Sequence, residues 1–227
     1  MNSTIDRDDV LAWLRKTGSR RAAAALARYG LPTDNAYGIP VATLQKYART
    51  IGVDHGLSLK LWDSGSLEAR ILAAFLGDPK QLTLAQMNAW CRSFDNWGTT
   101  DTACFKLFDR SPLAWKVIPQ WADKKGEFQK RAGFVMMACL AAHDKDANDA
   151  AFLKFLPMIE KGASDDRNFV KKGVSWALRS VGRRNKTLET ASLTLAKRLA
   201  ESSSASAKWI GKDAVRDLSR PAAKKRR

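Results

Sequence analysis

The 227-residue chain has little of several things. It has three cysteines, Cys91, Cys104 and Cys139, odd in number and widely spaced, which excludes a disulfide framework and a CxxC metal site and fits buried, reduced thiols of an intracellular protein. It has two histidines, His55 and His143, standing alone, so a His-dependent catalytic triad lacks its parts. There is no GxxxxGK[ST], no GxGxxG after a strand, no HExxH and no H-x-E with P-C-x-x-C, which removes phosphate cradles, nicotinamide binding and zinc deamination. No apolar run approaches the ~18 residues of a membrane span. The first nine residues, Met1 to Asp9, are acidic and lack the apolar core of a secretory signal. A cytoplasmic location is expected, and with it no membrane partner, no metal and no cofactor. Catalysis, if present, rests on carboxylates, aromatics and cations.

Acid is also scarce: 23 Asp and Glu face 39 Lys and Arg, a formal +16. Hydrophobic residues at 45% and charged residues at 27% are ordinary for a folded soluble chain, so the imbalance speaks of a polyanionic partner, nucleic acid first, more than of a fold. The last eight residues, 220–227, supply five of the sixteen charges and leave +11 for the rest. The excess therefore belongs to the body. Residues 1–219 are expected to form one domain and 220–227 a disordered basic tail.

What is present is helical periodicity without strand alternation. Thr83-Leu84-Ala85-Gln86 is a capping box opening a run with Leu84, Met87, Trp90 and Cys91 at helical spacings. Ser19 can cap a helix from Arg20 to Tyr29 that Gly30 ends, and Pro40 can open the next, Val41 to Thr50. Eleven or twelve helices of this kind, taken in pairs, approach the ~40-residue period of HEAT or armadillo units. The expected fold is all-α, a curved α-solenoid of HEAT-like helix pairs with a concave basic groove along which a duplex could lie.

Eight tryptophans, at 13, 62, 90, 97, 115, 121, 176 and 209, are the most informative aromatic set. Trp13 and Trp90 occupy core positions of their helices. Two others differ. Lys172, Trp176, Arg179 and Arg183 follow at steps of 4, 3 and 4 on an amphipathic helix, a tryptophan within a basic stripe where DNA phosphates could lie. The same pattern fits a tryptophan at the edge of the core with solvated cations beside it. In Asp95-Asn96-Trp97-Gly98-Thr99-Thr100-Asp101, Trp97 and Asp101 are four apart and project from one face if the first turn is helical. Asp101 is then either a functional carboxylate or a charge favoured near a helix N-terminus.

At these residues the chain resembles the AlkD-type DNA alkylation repair glycosylases, a HEAT-like repeat family. The resemblance covers residues 37–182. It is carried by Tyr37-Gly38-Ile39-Pro40, the Leu61-Trp62-Asp63-Ser64-Gly65 turn with Glu68-Ala69-Arg70, Trp97-Gly98-Thr99-Thr100-Asp101, Lys130-Arg131-Ala132, and Gly173-Val174-Ser175-Trp176-Ala177-Leu178-Arg179. It implies an active-site set of Trp97, Asp101, Arg131 and Trp176, with Lys130 beside Arg131 so that a one-residue shift would exchange the two. It further implies a monofunctional, monomeric glycosylase that removes cationic N3- and N7-alkylpurines from duplex DNA, tolerates bulky adducts and does not engulf the base. Lys130, Lys172, Arg179 and Arg183 are the expected DNA-binding cations. A non-catalytic relative that binds branched or distorted DNA is the alternative, and a HEAT-type protein scaffold a third.

Overall fold

The computed structural model describes residues 5–220; the basic run Lys224 to Arg227 lies outside them. Within those residues the chain forms fourteen α-helices and two 3-10 turns, and no strand. Short polar side chains start most of the helices by accepting a backbone N–H that the first turn leaves unpaired. Asp6 does so for α1 (Arg7–Thr17), Ser19 for α2 (Arg20–Ala25), Asp54 for α4 (His55–Trp62) and Ser66 for α5 (Leu67–Leu76). Pro40 precedes α3 (Val41–Ile51), and the Thr83–Gln86 capping box opens α6 (Leu84–Arg92) with both reciprocal bonds made.

The helix expected from Arg20 to Tyr29 is α-helical only to Ala25 and tightens to a 3-10 turn over Leu26–Tyr29. Gly30, left-handed at φ 66°, donates to the carbonyls of Ala27 and Leu26, and this closure tightens the last turn. The count also exceeds the eleven or twelve expected, because pieces such as α10 (Asp149–Leu153) are too short to carry a hydrophobic period of their own.

The described residues group into two compact units, divided between Leu113 and Ala114. The first unit centres on α5, which packs on α3, α4 and α7 (Trp97–Lys106) and buries eight of its ten residues. One of these is Glu68, 1% exposed. Its carboxylate accepts the backbone N–H groups of Tyr37 (2.8 Å), Gly38 (2.6 Å) and Ile39 (3.2 Å), so a charge in the core is satisfied by a loop thirty residues away. Beside α5, Trp62 and Trp90 stack at 3.8 Å, and Phe94 and Phe108 close around them.

The second unit centres on α9 (Glu127–His143), buried without interruption from Arg131 to Ala141 between α8 (Ala114–Ala122) and α12 (Asn168–Gly182). On α12 pack α11 (Phe155–Gly162), α13 (Lys186–Ala200) and α14 (Ala205–Leu218), and α10 packs on α11 and α13. Two helix pairs cross at glycine. A Cβ on Gly133 of α9 would lie 2.3 Å from the Ala122 nitrogen of α8, and one on Gly211 of α14 2.2 Å from the Ala200 nitrogen of α13. Backbone meets backbone at both crossings, so no larger side chain fits there.

Candidate nucleic-acid interface

In the first unit the candidate residues lie on α7. Asn96, 3% exposed, caps the helix: its side-chain oxygen accepts from Thr99 N at 3.0 Å, and its amide donates to Asp95 at 2.7 Å. Thr100 donates its hydroxyl back to the Asn96 carbonyl at 2.7 Å. Arg70 of α5, with its guanidinium 5.2 Å from the Trp62 ring, reaches the Ser93 carbonyl and the Asp95 carboxylate, both at 3.4 Å, and so ties the entry loop to the core. Trp97 is the first residue of the helix. Its indole N–H donates to the Tyr29 carbonyl at 2.8 Å, which fixes the ring from outside the helix. Asp101 follows one turn later, and both side chains are half-buried. The conditional expectation that the first turn is helical therefore holds, and the two residues share a face.

In the second unit Arg131 is 7% exposed and donates to the Phe169 carbonyl at 2.7 Å, while Glu127 accepts from Phe169 N at 3.1 Å. These two residues of α9 hold the first turn of α12, the helix that carries Trp176. Lys130 pairs with Asp165 at 2.9 Å. The Arg167 guanidinium grips the same carboxylate at 2.6 and 2.9 Å and, with Lys130, keeps its pKa well below the usual carboxylate range against the opposing effect of burial.

Trp176 borders an open cleft of about 660 Å³ whose walls include Lys145, Arg179, Arg183 and Arg184. Lys172 is exposed but does not line it. Two acids of α14 face these cations. Asp213 accepts the Ser175 hydroxyl at 2.7 Å and lies 3.4 Å from Arg179; Asp217 lies 3.3 Å from Arg183 and 3.9 Å from Arg179. Arg184 instead donates to the carbonyls of Ala141 (2.8 Å) and Asp144 (2.7 Å) at the end of α9, with its guanidinium 3.9 Å from the Phe152 ring. Asp213 and Asp217 were not among the expected residues, although acids four apart on one helix are a readable signal; nor were Arg184 and Glu127, and Glu68 stood only within the Glu68-Ala69-Arg70 block, with nothing local to show its partners.

The model of a family described as DNA alkylation repair enzyme matches residues 10–218 and so spans both units. The chain belongs to the DNA alkylation repair enzyme family. One solved structure is similar at TM-score 0.77 and 18% identity, over 94% of this chain and 96% of that one. It comes from a family related to the HEAT-like repeat DNA glycosylases with affinity for branched DNA structures. At that identity the likeness establishes a HEAT-like helical fold. Comparison with curated proteins by sequence finds no relative.

Within this DNA alkylation repair fold, the sequence blocks that carried the resemblance take different places. Tyr37-Gly38-Ile39 and Glu68 bind each other, and Arg70 braces the loop into α7. Among the described residues no group of three or more His, Cys, Asp or Glu side chains is placed to hold a metal, and no helix is long and apolar enough to cross a membrane.

Proposed function

We propose that the protein is a monofunctional DNA glycosylase that hydrolyses the N-glycosidic bond of cationic N3- and N7-alkylpurines in duplex DNA. The observation that carries this reading is the pair Trp97 and Asp101, one turn apart on a helix with no acid in its first turn, in a member of the DNA alkylation repair family. An alkylated purine of this kind is already positively charged. When the bond from C1′ breaks, its electron pair neutralises the base, so no general acid is required and the absence of a catalytic histidine is no obstacle. Positive charge moves to the deoxyribose. Asp101 stabilises that oxocarbenium-like state and orients the water that forms the new C1′–O bond and releases its proton. Trp97 and Trp176 hold the sugar and backbone of the lesion by their ring faces, and Arg131 contacts a backbone phosphate. Lys130, Lys172, Arg179 and Arg183 add DNA-binding charge.

The test is release of 7-methylguanine or 3-methyladenine from alkylated duplex by wild type and by Asp101→Asn. Equal release by the two ends the role of Asp101, and release by neither ends the glycosylase reading. The second reading, binding of branched DNA without chemistry, is favoured by the affinity described for the structural neighbour's family. A protein that shifts four-way junctions in preference to linear duplex and releases no base supports it. The protein acts as a monomer on this proposal, a point that sedimentation with and without duplex checks.

A further inference from the structure

Away from the Trp176 cleft, the second unit has another aromatic surrounded by cations. Trp209 on α14 is 40% exposed, more open to solvent than any of the other seven tryptophans. The Lys171 ammonium of α12 lies over the ring, 5.1 Å from its centroid, and steadies an indole that is still open to solvent. Lys212 lies three residues on and Lys208 four before that, so both cations flank the indole on the outer side of α14. Both are exposed, and neither has an ion-pair partner among the described residues. The nearest acid in sequence, Asp213, is already taken by Ser175, Arg179 and Arg216. The contrast with the cleft is chemical: Arg179 and Arg183 are paired with acids of α14, whereas Lys208 and Lys212 beside Trp209 are not.

We propose that this face of α14 is a second nucleic-acid surface and that it takes an unpaired strand of DNA. The inference rests on the DNA-binding half of the reading above and not on its chemistry. Stacked base pairs hide their ring faces, so an exposed indole gains from DNA where a base is free to stack on it, while flanking lysines hold the adjoining phosphates. A membrane surface fits poorly. The apolar side of α14, with Ala207, Ile210, Ala214 and Leu218, is buried, leaving one tryptophan on a polar face where an interfacial helix needs an apolar one.

Fluorescence anisotropy of the full chain with three labelled probes tests this: a blunt duplex, the same duplex with a thymidine overhang of about ten nucleotides, and the overhang sequence alone. Wild type is expected to bind the overhang duplex about tenfold more tightly than the blunt one, as one stacked base provides. Trp209→Ala loses that preference with blunt-duplex affinity unchanged, Trp209→Phe keeps most of it, and Asp101→Asn keeps all of it. No overhang preference in wild type overturns the proposal. So does an equal loss on all three probes in Trp209→Ala, or Trp209-dependent binding to phosphatidylserine vesicles without the overhang effect. Base release without overhang preference refutes this surface alone, and overhang preference without base release refutes the glycosylase alone.

Discussion

The first turn of α7 and the middle of α12 each present a tryptophan and charged side chains, yet they are held by different forces. Trp97 is fixed by an exposed indole hydrogen bond to the Tyr29 carbonyl and stands on a turn held by an asparagine cap and a threonine hydroxyl, neutral groups whose hydrogen bonds are buried. Trp176 stands among arginines whose partners are Asp213 and Asp217, ion pairs about a third exposed on the arginine side. Neutral buried hydrogen bonds depend little on salt and hold one geometry; partly exposed ion pairs weaken with salt and can exchange a carboxylate for a phosphate. The α7 turn is thus suited to positioning, and the α12 surface to reversible contact with a polyanion.

The largest expected effect lies on the α7 side. Asp101→Asn is expected to lower release of 7-methylguanine by about 10²–10³, with blunt-duplex affinity and the circular dichroism spectrum unchanged. A parallel loss of DNA affinity would erase the distinction between positioning and holding.

Next comes the anchor of the same unit. Glu68→Ala leaves three backbone N–H groups without their acceptor in the core, and is expected to cost about 3 kcal/mol in urea unfolding. Retained stability would mean that the Tyr37–Ile39 loop finds other partners. Asn96→Ala removes the α7 cap and is expected to cost about 1 kcal/mol, with a further loss in base release if the first turn of α7 sets the Asp101 geometry.

On the α12 side the sign reverses. Asp217→Asn frees Arg183 from its carboxylate partner, so DNA affinity at low salt is expected to rise, with the slope of log K against log salt steeper by roughly one unit. Weaker binding would show that Asp217 orients the arginines for DNA rather than competing with it.

The smallest effect is on pH dependence. Asp165 has its pKa lowered in the folded state, so the stability from its pairs with Arg167 and Lys130 is fully present above its unfolded value near 3.8. It is lost as pH falls below that. Asp165→Asn should therefore flatten the acid limb of the stability profile and leave the profile's shape above pH ~5 unaltered. A change of slope near neutrality would point to another group.

Much of this was legible because it is local. The Thr83–Gln86 box, the Ser19 cap, the stop at Gly30 and the helical spacing of Trp97 and Asp101 each involve residues a few positions apart, where side-chain and backbone geometry alone decide the outcome. The same local reading left Trp176 between core edge and DNA surface, because its pattern says nothing of what faces it. The resemblance pointed to Arg131, or to Lys130 by a one-residue shift; what holds each of them, the Phe169 carbonyl and Asp165, lies 38 and 35 positions away.

The chain's positive excess, its helical class and its caps were determined by the sequence alone, since composition and short-range periodicity suffice for them; the set Trp97, Asp101, Arg131 and Trp176 is what the family resemblance implied. Which cations are neutralised and which remain available was decided only by the tertiary structure. Charge partners such as Asp217 with Arg183, or Glu68 with the Tyr37–Ile39 loop, are chosen by packing across some thirty residues of intervening chain, and no periodicity records that choice.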